Sequence, residues 1–147
     1  MIRAALLALI AAASPVTAAQ VSDCDRAEAN ARNLARPFSE ATREYANGNI
    51  ALIYLLQDEP ACCGAAVMVT VPDPEIGYGT CHFVTSDDGM GWSSLSLPGA
   101  TAAYDAAKGL TITVPGTRFD QNRQDFAPFL LEIVVNQADA GVEARDH

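Results

Sequence analysis

The chain has 147 residues and a formal net charge of −9 at pH 7, with eighteen acidic and nine basic side chains. A protein of that sign repels phosphate backbones and anionic lipid headgroups, which argues against nucleic-acid binding and membrane-surface binding. The length suits one domain with a hydrophobic core, and the sequence contains no repeat period and no low-complexity linker.

The first nineteen residues, MIRAALLALIAAASPVTAA, predict a secretory signal peptide. Arg3 supplies the positive start, and residues 4–13 form an apolar run of the length typical of a signal core. The run is too short for a membrane-spanning helix, and Pro15 follows it closely. We therefore expect an exported mature chain of residues 20–147, periplasmic in a Gram-negative bacterium and extracellular otherwise. Loss of Arg3 makes its net charge −10.

Two helices are predicted at the start of the mature chain. Residues 22–35 repeat small apolar side chains every three or four positions, which places Cys24 on a narrow, alanine-rich face. Pro37 interrupts this pattern. Residues 39–48, SEATREYANG, are predicted as a second short helix that ends at Gly48.

From residue 50 onward the patterns become those of short strands. The predicted strands are residues 50–56, 65–71, 80–86, 92–97, 110–114 and 129–135. Asp88-Gly89 is expected to join the third and fourth of these as a hairpin. Residues 100–108 are left as either a helical turn or a wide loop. The chain end at His147 is expected to be disordered.

Helices followed by short strands at hairpin spacing predict an α+β fold. In this fold two short N-terminal helices pack on an antiparallel sheet of about six short strands. The alternative is a β-sandwich with a helical N-terminal extension. In either case residues 20–147 are expected to form a single disulfide-stapled globular domain with a disordered C-terminal tail.

The four cysteines are Cys24, Cys62, Cys63 and Cys81, and they predict two disulfides because exported chains normally pair an even number of cysteines. A bond between neighbours closes a very small ring, so it ranks last among the three pairings. Neighbouring side chains of an extended backbone point to opposite sides. Cys24 is therefore expected to bond one of the vicinal pair and Cys81 the other, with Cys24–Cys62 and Cys63–Cys81 preferred.

A metal site is the alternative interpretation of the same cluster. If the thiols are free, Cys62, Cys63, Cys81 and His82 are ligands of the kind that copper and zinc prefer. Adjacent ligands reach one tetrahedral centre with difficulty, and the C-x-x-C spacing of zinc sites and thioredoxin-like redox sites is missing. We therefore expect no metal and no other cofactor.

Motifs of the common catalytic classes are also missing. The chain contains no G-x-S-x-G, no H-E-x-x-H and no phosphate-binding glycine loop. Residues 120–125, DQNRQD, lack the glycine and the closing glutamate of a calcium loop and are interpreted as a hairpin connection. Dispersed carboxylates of a hydrolase meet only in the fold, so that class stays open. We expect no catalytic activity and assign no catalytic residue.

One loop stands out as a candidate partner-binding surface. Tyr78 lies between two glycines, whose missing side chains leave its ring to be presented to a partner. Together with Glu75, Asp87 and Asp88 it is expected to form a small acidic and aromatic surface that suits a basic or polar partner.

These observations predict a small, acidic, exported domain of the cell envelope that binds another protein or a small ligand, or has a structural role, without enzymatic activity. The alternative is an envelope copper- or zinc-binding protein that uses Cys, His and Met. A small hydrolase with dispersed carboxylates is the second alternative. The identity of the partner, the strand order and the oligomeric state stay open.

Overall fold

The computed structural model describes residues 17–57 and 62–147, which form two antiparallel β-sheets. The first sheet contains β1 (Thr17–Ala18), β7 (Ser94–Leu95), β8 (Thr101–Asp105), β9 (Gly109–Asp120), β10 (Asp125–Asn136) and β11 (Gly141–Asp146). The second sheet contains β2 (Gln20–Asp23), β3 (Thr42–Tyr45), β4 (Ile50–Leu56), β5 (Ala65–Pro72) and β6 (Gly79–Thr85). Three short 3₁₀ turns lie at Ala31–Asn33, Phe38–Glu40 and Ala46–Gly48.

Most neighbours in these sheets are also neighbours in the chain. The strand order is β2-β6-β5-β4-β3 in the five-stranded sheet and β1-β11-β10-β9-β7 in the six-stranded sheet. β8 also pairs with β9, beside residues 109–113, while β7 pairs with β9 at residues 116–117. Hairpins therefore build most of each sheet, and the chain crosses between the sheets before β2 and before β7.

The main core lies between the two sheets. Apolar side chains at alternate positions point inward from both of them, as the period of a strand dictates. Those larger than alanine with no exposed surface are Ile50, Leu52, Val67, Val69, Val71, Val84, Ile112, Val114, Leu131, Ile133 and Val135. Each such side chain contributes about 1.5–3 kcal/mol to the free energy of folding, so this layer dominates stability. Trp92 is the largest buried side chain of this core.

A second, smaller core covers the outer face of the five-stranded sheet. Leu55, Ala66 and Phe83 are buried there beneath the segment that follows β2, and Cys24 and Ala29 pack against them. Leu34 forms an isolated bridge to Leu55, which holds that segment against β4. The segment thus fills the place that the predicted helices were expected to take.

The predicted α+β class is wrong, because neither N-terminal helix is present among the described residues. The helical extension of the alternative sandwich is missing for the same reason. Residues 20–23 instead form an edge strand on β6. Asp23 and Asn30 accept hydrogen bonds from backbone N–H groups two residues ahead, which competes with helix formation.

The second predicted helix, residues 39–48, is replaced by a hairpin. Thr42–Tyr45 pairs with the first half of β4, and the connection contains Asn47 and Gly48, both with positive φ. Asn-Gly between two strands is a strong hairpin signal, and the sequence interpretation used Gly48 as a helix end instead. Asn47-Gly48 was therefore the sequence signal from which this hairpin could have been predicted.

Three further expectations are corrected. The strands predicted at 80–86 and 92–97 do not pair with each other, since β6 lies between β2 and β5, and Trp92 bridges Ala65 before β7 joins β9. Residues 101–105 form the exposed edge strand β8. The C-terminal tail, expected to be disordered, forms β11, and His147 exchanges two backbone hydrogen bonds with Leu130.

The strands β9 and β10 extend well beyond the predicted 110–114 and 129–135. Pro115 and Gly116 directly follow the predicted strand 110–114, yet both lie within β9. Pro115 accepts a hydrogen bond from the N–H of Ser96, and a Cβ atom on Gly116 would lie 2.6 Å from the Ser94 oxygen. Gly116 is required there because β7 and the ring of Phe129 approach its backbone closely.

The predicted signal peptide falls mostly outside the described residues, which begin at position 17. Thr17 and Ala18 pair with Asp146 and Arg145 at the edge of the six-stranded sheet. No helix in the described part of the chain is long and apolar enough to cross a membrane.

Candidate functional site

All four cysteines are oxidised, which confirms the prediction of two disulfides, but the predicted pairing is wrong. The bonds join Cys24 to Cys81 and Cys62 to Cys63. Asp23 lies opposite His82 in the β2–β6 register, so Cys24 lies directly opposite Cys81 with 5.5 Å between the Cα atoms. The pairing was missed because Cys24 was placed on a helix, where this register does not exist.

The alternative metal set does not assemble. Cys81 lies opposite Thr70, whereas Cys62 and Cys63 precede Ala65 at the other end of β5. The Nε2 atom of His82 lies 2.9 Å from the carbonyl oxygen of Ala140 and links the two sheets. No group of three or more potential metal-ligating His, Cys, Asp or Glu side chains occurs among the described residues.

The candidate surface around Tyr78 is divided by the fold. Tyr78 is 77% exposed on a tight turn in which the Asp73 carboxylate accepts hydrogen bonds from the N–H groups of Glu75 and Ile76. Asp87 follows the far end of β6. The seven residues of β6 span about 23 Å, so Asp87 and its neighbour Asp88 do not join Tyr78 and Glu75 in one surface.

The hairpin of β9 and β10 projects past its neighbours. β7 pairs with β9 only as far as Thr117, and β11 pairs with β10 only from Leu131 onward. Between residues 118 and 129 the two strands therefore pair only with each other, and residues 120–125 form the turn that the sequence predicted. The six-stranded sheet thus ends in a two-stranded ribbon.

The outer face of this ribbon, together with the part of the sheet at its base, is largely apolar. Alternation places on it three cross-strand pairs, namely Phe119 with Phe126, Thr117 with Pro128, and Pro115 with Leu130. We call these six residues the hairpin face. Phe126 is 56% exposed and Leu130 47%, and the rings of Phe119 and Phe126 meet edge to face with 5.5 Å between centroids. Sequence analysis missed this surface because it ended both strands at their prolines.

A partly buried polar cluster lies at the base of the ribbon on its inner side. The Trp92 indole donates a hydrogen bond to the Asp146 carboxylate at 3.2 Å, and its ring stacks on Phe129 with 5.5 Å between centroids. Arg118 contacts the same carboxylate oxygen at 3.4 Å and lies over the Phe129 ring. The other carboxylate oxygen of Asp146 is buried with no partner among the described residues.

The outer face of the six-stranded sheet holds a shallow depression of about 270 Å³ beside Glu132, Val134 and Glu143. Two acids near one depression are what a hydrolase with dispersed carboxylates requires. The Arg145 guanidinium, however, binds the Glu132 carboxylate at 2.8 Å, and Glu143 is exposed to solvent. Glu132 is therefore held in an ion pair and Glu143 lies in solvent, so neither carboxylate has the buried environment that prepares a carboxyl group for acid catalysis.

Perturbed ionisation occurs away from these surfaces. Burial raises the pKa of Tyr45 and of Tyr54, and the Tyr54 hydroxyl accepts a 3.4 Å hydrogen bond from the N–H of Leu95. A 3.0 Å hydrogen bond from Arg26 lowers the pKa of Glu28. None of these three groups lies on the hairpin face or beside the vicinal cysteines.

Comparison with known proteins found no family model, no curated protein and no solved structure that matches this chain. The function is therefore argued from the geometry of the hairpin face and of the two disulfides.

Proposed function

We propose that this protein is an exported, non-enzymatic binding module whose contact surface is the hairpin face. The observation that supports this proposal is the exposure of Phe126 on the ribbon that projects from the sandwich and of Leu130 at the base of that ribbon. Large apolar side chains on a protruding element gain free energy when a partner covers them, at about 25 cal/mol per Å² of apolar surface. Aromatic residues of this kind are enriched at the centres of protein interfaces.

The proposed partner is a protein with an apolar centre and a basic rim. The ribbon itself carries two acids, Asp120 and Asp125, and two bases, Arg118 and Arg123. The whole chain carries a net charge of −9, so it is the field of the whole molecule that favours a basic partner. Opposite charge around an apolar contact accelerates encounter and selects orientation. Anionic nucleic acids and lipid surfaces are repelled by the same field.

The partner is expected to cover the face of the ribbon and not to extend its edge. On the edge away from β9, β10 has no neighbouring strand beside residues 125–129, and Pro128 lies within that stretch without an N–H group to donate. Proline on a free edge blocks the addition of another strand. Side-chain contact through the phenylalanines is therefore the mode of binding that the ribbon favours.

Photo-crosslinking in the native host tests this proposal. A benzoylphenylalanine at position 126 is compared with one at Tyr104, an aromatic residue that is 73% exposed on β8. We expect a discrete adduct from position 126, which excess wild-type protein suppresses and a Phe126→Ser/Leu130→Ser variant does not. The proposal would be contradicted if positions 126 and 104 gave equal yields of the adduct. It would also be contradicted if the wild-type protein and the double serine variant suppressed the adduct equally.

Salt dependence tests the chemistry of the partner. Because the proposed rim is basic, the yield of the position 126 adduct is expected to fall several-fold between low and physiological ionic strength, at which the Debye length is about 8 Å. An adduct that is insensitive to salt would favour a neutral apolar partner. An adduct with the mass of two copies of this chain would assign the face to self-association and overturn the proposal.

Export has a direct test of its own. N-terminal sequencing of the protein from its host is expected to begin at Ala19 or Gln20, since small residues before these positions fit the signal-peptidase rule. A mature protein that retains Met1 or Arg3 would contradict export through this signal. Cleavage at either position also removes β1 and leaves β11 at the edge of its sheet.

A further inference from the structure

The Cys62–Cys63 bond closes a ring that contains a single peptide bond, because the two residues are neighbours with Cα atoms 3.7 Å apart. A cross-link stabilises a fold mainly by restricting the unfolded chain, and this restriction grows with the length of the closed loop. A ring between neighbours restricts almost nothing. The vicinal bond therefore gains no stability from chain entropy.

The chain around the ring is held by contacts that do not need the disulfide. The N–H of Gln57 donates to the oxygen of Gly64 at 3.0 Å. Ala65 and Trp92 exchange two backbone hydrogen bonds of 2.9 Å each. Gly91 packs so closely that a Cβ atom there would lie 2.9 Å from the oxygen of Cys63. The backbone on the C-terminal side of the ring is thus fixed whether the bond is open or closed.

The second disulfide differs in the length of the loop that it closes and in its contact with the core. Cys24 and Cys81 are separated by 57 positions, and Cys24 packs against the buried cluster of Leu55, Ala66 and Phe83. By linkage, a bond that stabilises the fold is itself held closed by the fold, here by roughly a thousandfold in the chain-entropy model. All four cysteines are partly exposed, but Cys62 and Cys63 pack against neither core cluster of the described residues, whereas Cys24 does.

We propose that Cys62–Cys63 is a thiol–disulfide exchange site that accepts two electrons from a protein dithiol while Cys24–Cys81 stays oxidised. A thiolate of the reductant attacks one sulfur of the ring, forms a mixed disulfide and releases the other sulfur as a thiolate. The second thiol of the reductant then attacks the reductant's own sulfur in the mixed disulfide, which breaks that bond and releases the remaining cysteine of the ring as a thiolate. The products are two protonated thiols at positions 62 and 63 and one new disulfide in the reductant.

Redox titration of the natively exported protein tests this inference. The folded protein is equilibrated in buffers of reduced and oxidised dithiothreitol, quenched with acid and alkylated, and the modified cysteines are located by peptide mapping. We expect positions 62 and 63 to be alkylated together at potentials where positions 24 and 81 are not. The equilibrium constants for reduction should differ by at least about a hundredfold, which corresponds to about 59 mV for a two-electron couple.

A Cys62→Ala/Cys63→Ala variant is the matched control. It is expected to keep the thermal midpoint of the wild type to within about 2 °C, and its Cys24–Cys81 bond should titrate as in the wild type. The inference would be overturned if the equilibrium constants for reduction of the two bonds lay within tenfold of each other, or if Cys24–Cys81 were reduced first. A vicinal variant that loses most of its stability would overturn it as well, because the ring would then be structural.

Discussion

At the residue scale, Asp146 connects the main core to the projecting ribbon. The residue is only 4% exposed, and one oxygen of its carboxylate accepts hydrogen bonds from both Trp92 and Arg118. A buried indole N–H needs an acceptor, and a buried carboxylate needs partners. The two requirements meet in this one pair, which fixes the Trp92 ring against Phe129.

Replacement of Asp146 by alanine is expected to lower the free energy of unfolding by about 1–3 kcal/mol, because the Trp92 N–H would stay buried without an acceptor. Urea denaturation followed by the fluorescence of Trp92, the single tryptophan, measures this change. Glu143→Ala, an exposed carboxylate on the same strand, is the control and should change stability by less than about 0.5 kcal/mol. Equal effects of the two substitutions would refute the assignment.

Tyr45 provides a prediction with a pH dependence. Its hydroxyl is buried without a partner among the described residues, and burial raises its pKa. The folded state therefore keeps the proton longer than the unfolded state, whose tyrosine titrates near pH 10. The stability that results from this difference in pKa is therefore complete below about pH 10, and it is lost as the pH rises toward the pKa of the folded state.

The Tyr45→Phe variant is thus expected to be about 1 kcal/mol more stable at pH 7, because it removes an unpaired buried hydroxyl. Its stability should also decline less steeply between pH 9 and pH 11 than that of the wild type. Denaturation curves across this pH range provide the measurement, with the exposed Tyr104→Phe as the control. A less stable variant with an unchanged alkaline decline would count against the structural account.

At the scale of elements, the length of the β9–β10 hairpin depends on small residues at the places where other strands approach. Gly116 lies beside β7 and beneath Phe129, at the point where the ribbon leaves the sandwich. A side chain there would push the strands apart. The hairpin face is therefore positioned by a residue that carries no side chain of its own.

Gly116→Ala is expected to destabilise the protein by about 1–3 kcal/mol, since the new Cβ atom would meet the Ser94 oxygen at 2.6 Å and the Phe129 ring at 2.7 Å. Gly79→Ala is the matched control, because no heavy atom lies within 4 Å of a Cβ atom at that position. Thermal denaturation of both variants tests the difference. A Gly116→Ala protein as stable as its control would show that β7 and β9 are not packed in this way.

At the scale of the whole molecule, the two disulfides divide their roles. Cys24–Cys81 joins the segment after β2 to β6 and encloses more than a third of the chain, whereas the vicinal bond encloses nothing. The chain-entropy model assigns about 4 kcal/mol to the first bond. A domain of this size is stable by about 5–15 kcal/mol in total.

A Cys24→Ser/Cys81→Ser variant is accordingly expected to lose about 4 kcal/mol of stability, while Cys62→Ser/Cys63→Ser should lose less than about 1 kcal/mol. Denaturant titration without reductant compares the two directly. A larger loss from the vicinal pair would reverse the assignment of roles. If the Cys24→Ser/Cys81→Ser variant does not fold, the yields of the two variants after export are compared instead, and the lower yield identifies the disulfide that contributes more to stability.

The sequence predicted several strands correctly, and its errors have physical causes. Residues 50–56 and 65–71 are apolar on both faces, and they form central strands with a core on either side. Residues 22–35 have a helical repeat, but sheet pairing and the local bonds of Asp23 and Asn30 outweigh the weak helix preference of a short segment.

The candidate site was less accessible to sequence reasoning. Tyr78 was recognised as an exposed aromatic because its glycine neighbours are visible in one dimension. The length of β6 separates Asp87 from Tyr78, and the register of β9 and β10 places Phe119 opposite Phe126. Neither can be obtained from local composition, since a strand that contains a proline resembles a turn until its partners are known.

The sequence by itself determined the oxidised state of the cysteines, the acidity of the chain and the positions of its most apolar strands, because these depend on residue type and local pattern. The tertiary structure decided the class of the fold, the partner of each cysteine and the location of the hairpin face. These features depend on which distant strands pair and in which register. A pairing partner is chosen by the free energy of the whole packed sandwich, and no single segment carries that information.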